Sequence, residues 1–190
     1  MLVGEDLLAA LRSAAVVPLA GTLHRYVRNS FISLAISKRT EPHVLSGEWA
    51  RRTGGRFNFP DRYNATYLAL EAETARVEAE RIVAPFIHVP IATRLQHVLR
   101  LDDPATRRLL GMSEADIRVE WRTANARGIE VPTQELGNVA QATGRIEALT
   151  YPSTIKPDGI CVGVFPGRLL PGSYLELVDP DGIVRERIEG

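Results

Sequence analysis

Five residues have types suited to handling an anionic nucleotide: Arg25, Arg56, Tyr67, Glu78 and Ser153. Three of them fall in one run, Gly47 to Arg81, at even intervals (67 − 56 = 11 and 78 − 67 = 11). The run carries Gly54-Gly55-Arg56, then Phe57-Asn58 and the turn signal Phe59-Pro60-Asp61. Glycine lets backbone N–H groups approach a ligand closely. A guanidinium beside them can hold a phosphate through two parallel hydrogen bonds. Tyr67 supplies an aromatic ring and Glu78 a carboxylate, while Arg25 and Ser153 join from distant parts of the chain. Each also has an ordinary reading. Gly-Gly-Arg alone describes a surface turn, Tyr67 a half-buried strand tyrosine, Glu78 a surface ion pair with Arg81, and Ser153 a turn serine.

Local patterns suggest how these residues are positioned. Leu23 to Val27 alternates as a strand, which puts Arg25 on the face of Leu23 and Val27. A cation on an apolar face needs a partner or an anion, unless it snorkels to water from an edge strand. Gly47 to Pro60 reads mostly as loop, with Arg51, Arg52 and Arg62 as solvated charges. Trp49 suits a core anchor better than a pocket wall. Ala65 to Leu70 is a short strand bearing Tyr67. Over 72–83 a helix would put Ala72, Ala75, Ala79, Ile82 and Val83 on one arc with Glu78 at its edge. A carboxylate at that border is partly desolvated and therefore paired or functional. Ile146 to Tyr151 reads as a strand that delivers Pro152-Ser153-Thr154. No Gly-x-Ser-x-Gly elbow and no evident histidine base surround Ser153, so it is a hydrogen-bonding residue and not a nucleophile.

The remaining pattern frames this core. Glu5 to Ala15 is an amphipathic helix ended by Pro18 and Gly21, inside an N-terminal helical segment 1–22. Residues 30–44 read as an insertion able to form a lid or a partner contact. Phe86 to Ile91 and Leu95 to Leu101 read as two strands separated by an Ala-Thr turn. Helices are expected at 104–110, from the Ser113 N-cap through Trp121, and at 132–143, none with visible chemistry. Ile160 to Phe165 is a buried strand that holds Cys161 as plain core. Asp179-Pro180-Asp181-Gly182 marks a hairpin between Tyr174–Val178 and Ile183–Ile188.

A chain of 190 residues suits a single domain, and 45% apolar residues are ample for a core. Lys+Arg and Asp+Glu both total 23, so no global field draws the protein to nucleic acid or membrane. One cysteine excludes an internal disulfide and a multi-cysteine zinc site. The histidines at 24, 43, 88 and 97 form no metal-binding pattern, and neither GxGxxG nor a Walker loop occurs. The acidic start and the short apolar stretch Ala14 to Leu19 are unlike a signal peptide or a membrane span. These features favour a soluble, cytoplasmic protein without a metal.

The pattern Arg25 … Gly-Gly-Arg56-Phe-Asn … Tyr67-Leu-Ala … Ala75-Arg-Val-Glu78 … Pro152-Ser153 resembles the RES domain family, named for its arginine, glutamate and serine. The central run carries the resemblance; Phe57 stands where the family often has tryptophan, and the 30–44 segment is longer than usual. The resemblance implies an α+β fold, one domain over 1–190 with a split, mainly antiparallel sheet and flanking helices, similar to ADP-ribosyltransferase toxins. It implies an NAD-consuming enzyme, NAD being the substrate and no separate cofactor being needed. The nicotinamide–ribose bond would break through an oxocarbenium-like state. Glu78 would hydrogen-bond the ribose and stabilise that cation, Arg25 and Arg56 would grip the pyrophosphate, Tyr67 would stack on nicotinamide or shape its pocket, and Ser153 would orient the ribose or phosphate side. Water, phosphate or a protein side chain as acceptor would make it an NAD glycohydrolase, an NAD phosphorylase or an ADP-ribosyltransferase. Many family members are toxins of bacterial toxin–antitoxin pairs, so a protein antitoxin covering the site is the implied partner; a homodimer is a further option. The competing class is a non-catalytic nucleotide- or partner-binding domain. It would gain little from a desolvated Glu78 beside an anionic dinucleotide. Zero net charge disfavours an RNA-binding toxin.

Overall fold

Leu7 and Leu11 stand one turn apart, and their full burial seats the first helix, α1 (Gly4–Ser13). Strand β1 (Val17–Arg28) follows and runs through Pro18 and Gly21, so the helical segment ends well before residue 22. A register shift between Val17 and Leu19 leaves Pro18 out of the ladder, where its missing N–H costs no bond. The structure, a computed structural model, describes residues 1–38, 43–79, 84–179, 181–182 and 184–190. Among the described residues the further α-helices and strands are α2 (Asn29–Lys38), α3 (Glu48–Thr53), β2 (Thr66–Ala69), α4 (Ala72–Ala79), β3 (Phe86–Arg100), α5 (Pro104–Leu109), α6 (Glu114–Arg118), α7 (Trp121–Asn125), α8 (Pro132–Ala142), β4 (Ala148–Pro152), β5 (Ile160–Val164), β6 (Tyr174–Leu177) and β7 (Arg187–Glu189).

Several elements depart from the sequence reading. The two strands expected over 86–101 are the single strand β3. Ala92-Thr93 contains no chain-breaking residue and is paired on both edges, with Thr22 and Gly21 of β1 and with Glu176 and Leu175 of β6. The loop expected over 47–60 contains α3, entered through Gly47 in the left-handed region at φ 71. The helix expected to run through Trp121 breaks into α6 and α7. The Arg56 guanidinium takes the carbonyls of Ile117 and Val119, and Val119 turns extended at ψ 139. The expected insertion 30–44 contains α2, and its residues 39–42 lie outside the described residues, as do 80–83 at the end of the helix expected over 72–83. Pro180 and Ile183 of the expected hairpin also lie outside them, but β6 and β7 pair antiparallel as that hairpin requires.

The seven strands form one sheet in the order β1-β2-β5-β4-β3-β6-β7, and an additional β1–β3 pairing closes it on itself. Only the β3–β4 pair is parallel among the pairings. The mainly antiparallel sheet with flanking helices agrees with the expected α+β class. One buried cluster takes Leu23, Leu68, Val89, Ala148, Val162 and Leu175 from β1 to β6 and fills the inside of the curl. A second, built on Leu7, Leu11, Leu99, Ile117, Leu136, Leu149 and Phe165, holds α1, α6 and α8 against the other face. Strands β4 and β5 are thus covered on both faces.

Glu147 joins the layers. It is fully buried, and its carboxylate accepts the backbone N–H groups of Gln96 and His97, each at 2.6 Å, and of Leu170 at 2.8 Å. Glu147→Gln turns one acceptor oxygen into a donor that faces an N–H. Leaving one such group unpaired will lower unfolding stability by about 1–3 kcal/mol, read from the urea midpoint at unchanged slope.

Candidate active site

Between β1, β2, α3, α4 and α7 lies a cleft of about 680 Å³, within the range of small-molecule sites. Arg25, Arg56, Tyr67 and Glu78 all line it. Four residues spread over β1, the loop after α3, β2 and α4 therefore meet at one hollow.

The loop at Arg56 is held from every side. Gly55 donates to the Asn58 carbonyl at 2.8 Å, closing a tight turn. A side chain at Gly55 would lie 2.5 Å from the Tyr67 hydroxyl oxygen, so the glycine makes room for the ring. That hydroxyl accepts the Phe57 N–H at 2.8 Å and donates to Asn58 Oδ1 at 2.7 Å. Asn58 Nδ2 donates to the Ala50 carbonyl at 2.6 Å, and the buried Gln134 donates to the Gly55 carbonyl at 2.8 Å. Burial raises the Tyr67 phenol well above its usual range, against the pull of the Phe57 N–H and the Arg56 charge, so it stays a neutral donor. Arg56 itself is 8% exposed, with Nη1 committed to the Ile117 and Val119 carbonyls.

Glu78 projects from α4 beside Ser153, whose Oγ lies 2.7 Å from Glu78 Oε1. The same Oγ accepts the N–H groups of Ile155 at 3.1 Å and Lys156 at 3.0 Å. With both lone pairs engaged, its one proton points at the carboxylate. Ser153 is buried and does not line the cleft; it reaches the cleft only through its contact with Glu78. Arg81, the alternative partner weighed for Glu78, lies outside the described residues. Cys161 Sγ sits 3.8 Å from Glu78 Oε1, and burial, then the Glu78 charge, pushes its thiol up to about 12. Tyr151 completes the floor, its phenol raised well above normal by burial first. The Arg56 charge opposes that rise at Tyr67, Tyr151 and Cys161, so the cation and the Glu78 carboxylate act on the same buried floor.

Arg25 occupies the opposite wall. Its neighbours Leu23 and Val27 are buried, as the alternation required, and its Nη1 donates to the Val44 carbonyl. Burial pulls its pKa down to about 10, opposed by the charge of Glu186. Glu186, itself raised by burial, accepts the N–H groups of Val44 at 2.7 Å and Leu45 at 2.8 Å. The C-terminal segment thus fixes the 44–45 corner against which Arg25 rests.

Trp49 is 54% exposed and lines the cleft, so it is a wall residue and not the core anchor its size suggested. The helices thought empty of chemistry also contribute: Trp121, Arg122 and Asn125 of α7 line the cleft. The available sequence signal was the i, i+4 spacing of Trp121 and Asn125, which sets them on one helix face.

The sequence profile of the RES domain matches residues 35–179. The chain belongs to the RES domain family. Arg56, Tyr67, Glu78 and Ser153 fall inside the matched stretch of this RES domain, and Arg25 and Glu186 lie outside it. One chain of the crystal structure of the M. tuberculosis MbcT–MbcA toxin–antitoxin complex shares the fold, with a TM-score of 0.69 over 93% of this chain and 91% of that one at 24% sequence identity. Among curated proteins, none matches in sequence. No helix among the described residues is long and apolar enough to cross a membrane.

Proposed function

We propose that this RES domain cleaves the nicotinamide–ribose bond of NAD in the cleft and serves as the toxin of a toxin–antitoxin pair. The observation that carries the reading is the pairing of Glu78 with Ser153 at the edge of a dinucleotide-sized cleft shared with Arg25, Arg56 and Tyr67. A pure binder of an anionic dinucleotide would gain little from a carboxylate in this cleft. A glycosyl-transfer enzyme does, because positive charge develops on the ribose as the bond breaks.

In the proposed reaction nicotinamide leaves with the electron pair of the C1′–N bond and becomes neutral. Glu78 faces the resulting oxocarbenium, with Ser153 holding its carboxylate. Arg25 and Arg56 engage the pyrophosphate; the described bonds commit only Nη1 of each guanidinium, which has five N–H donors in all. Tyr67 shapes the nicotinamide pocket. An acceptor oxygen then bonds to C1′ and gives up its proton. The toxin–antitoxin origin of the similar M. tuberculosis chain and the open mouth of the cleft support a protein antitoxin as the partner that covers it.

Purified protein incubated with NAD should release nicotinamide. ADP-ribose as co-product in plain buffer identifies a glycohydrolase, its 1″-phosphate in the presence of inorganic phosphate a phosphorylase, and label retained on protein an ADP-ribosyltransferase. No nicotinamide under any of these conditions overturns the reading.

A further inference from the structure

Both tryptophans of the chain, Trp49 on α3 and Trp121 on α7, line the cleft, where a fold under burial pressure alone would have placed them in its core. The Arg122 guanidinium lies 4.4 Å from the centroid of the Trp121 ring and steadies it. Asn125 follows Trp121 at i+4, on the same helix face and in the same cleft. Its Oδ1 and Nδ2 are both shielded from water and have no hydrogen-bond partner among the described residues. A folded protein seldom leaves a carboxamide in that state, since each orphaned group forfeits its hydration. Gly54, at φ 74, brings the end of α3 against this amide; a side chain there would lie 2.5 Å from Nδ2. An aromatic face beside an unmatched donor–acceptor pair suits a purine. The carboxamide of asparagine complements the N–H and ring-nitrogen pair on the edge of adenine.

We infer that α3 and α7 form the adenine subsite of the cleft, with Trp121 and Trp49 as stacking surfaces and Asn125 reading the edge of the base. The inference rests on the dinucleotide reading above and adds to it the direction in which the substrate lies. Arg56 links the two ends: its charge acts on the floor shared with Glu78, while its Nη1 holds the carbonyls that lead into α7. Nicotinamide then lies toward Glu78, and adenine lies across Arg56 from it.

Titration with AMP, which lacks the scissile bond, tests the subsite directly, because the only tryptophans report on it. AMP should quench intrinsic fluorescence and ribose 5-phosphate should not. Trp121→Ala and Asn125→Ala should each weaken AMP about tenfold, the size expected of one stacked base or one paired edge. Trp121→Phe keeps a stacking face and should recover most of that loss, which a merely structural tryptophan would not allow. In turnover the Asn125→Ala change should appear in KM for NAD with kcat little altered. AMP affinity indifferent to Asn125→Ala and Trp121→Ala overturns the subsite, even if nicotinamide is released from NAD. AMP binding with these sensitivities, in a protein that releases no nicotinamide, keeps the subsite and overturns the cleavage reading instead.

Discussion

On the proposed NAD cleavage, Glu78→Gln should lower kcat for nicotinamide release by roughly a hundredfold or more, with ADP-ribose affinity changed only a few fold. The substitution is nearly isosteric, and the glutamine oxygen can still accept the Ser153 hydroxyl that lies 2.7 Å from Glu78 Oε1. Position and packing are therefore retained, and the loss is that of negative charge where a cation forms. A charge that acts only in the transition state moves kcat, whereas one that binds the ground state moves KM. The floor around it, Tyr151 and Cys161 with phenol and thiol raised by burial, stays neutral near pH 7 and cannot take over the role. Steady-state turnover at saturating NAD, with ADP-ribose binding measured by calorimetry, separates the two effects. Turnover by Glu78→Gln near that of the unaltered protein would remove Glu78 from the mechanism.

Gly137→Ala destabilises the protein by more than about 3 kcal/mol, the upper end for overfilling a packed site. Gly137 sits inside α8, where glycine is otherwise a liability. An added methyl there would overlap the Phe57 carbonyl oxygen and lie 2.7 Å from the Tyr63 hydroxyl. Neither can yield freely: Tyr63 donates to that same carbonyl, and the fully buried Phe57 ring packs edge-on against Tyr151 at 4.8 Å between centroids. Any retreat of Phe57 drags Arg56, its neighbour in the chain, away from the cleft. The same change at Gly167, which has no heavy atom within 4 Å of the added carbon, should stay within about 0.5 kcal/mol. Urea denaturation of the two variants side by side measures the contrast; equal midpoints would show that α8 does not brace the loop.

Much of the site could be read from residue types at short range. The strand at Tyr67 and the start of the helix that bears Glu78 depend on local propensity, and local propensity placed them within a residue or two. The alternation of Leu23, Arg25 and Val27 likewise put Arg25 on the buried face of β1. Errors arose where a distant group decided the outcome. Ala92-Thr93 passes for a turn until β1 and β6 are seen to pair on both of its edges. The break between α6 and α7 has no proline or glycine to announce it, because the guanidinium of Arg56 draws off the carbonyls that would have continued the helix. Trp49 passes for core by size alone, and only the position of α3 at the cleft mouth exposes it.

By itself the sequence determined the strand at Tyr67 and the buried face of Arg25, since alternation and turn chemistry act over a few residues, and its motif pattern, through resemblance to the RES domain family, implied the α+β class. Tertiary structure alone decided that the sheet closes through β1 and β3, that Ser153 reaches the cleft only through its contact with Glu78, and that Glu186 near the C-terminus steadies the corner holding Arg25. Contacts of this kind join residues up to 142 positions apart. Their energies depend on which surfaces meet, and no local stretch of sequence encodes that meeting.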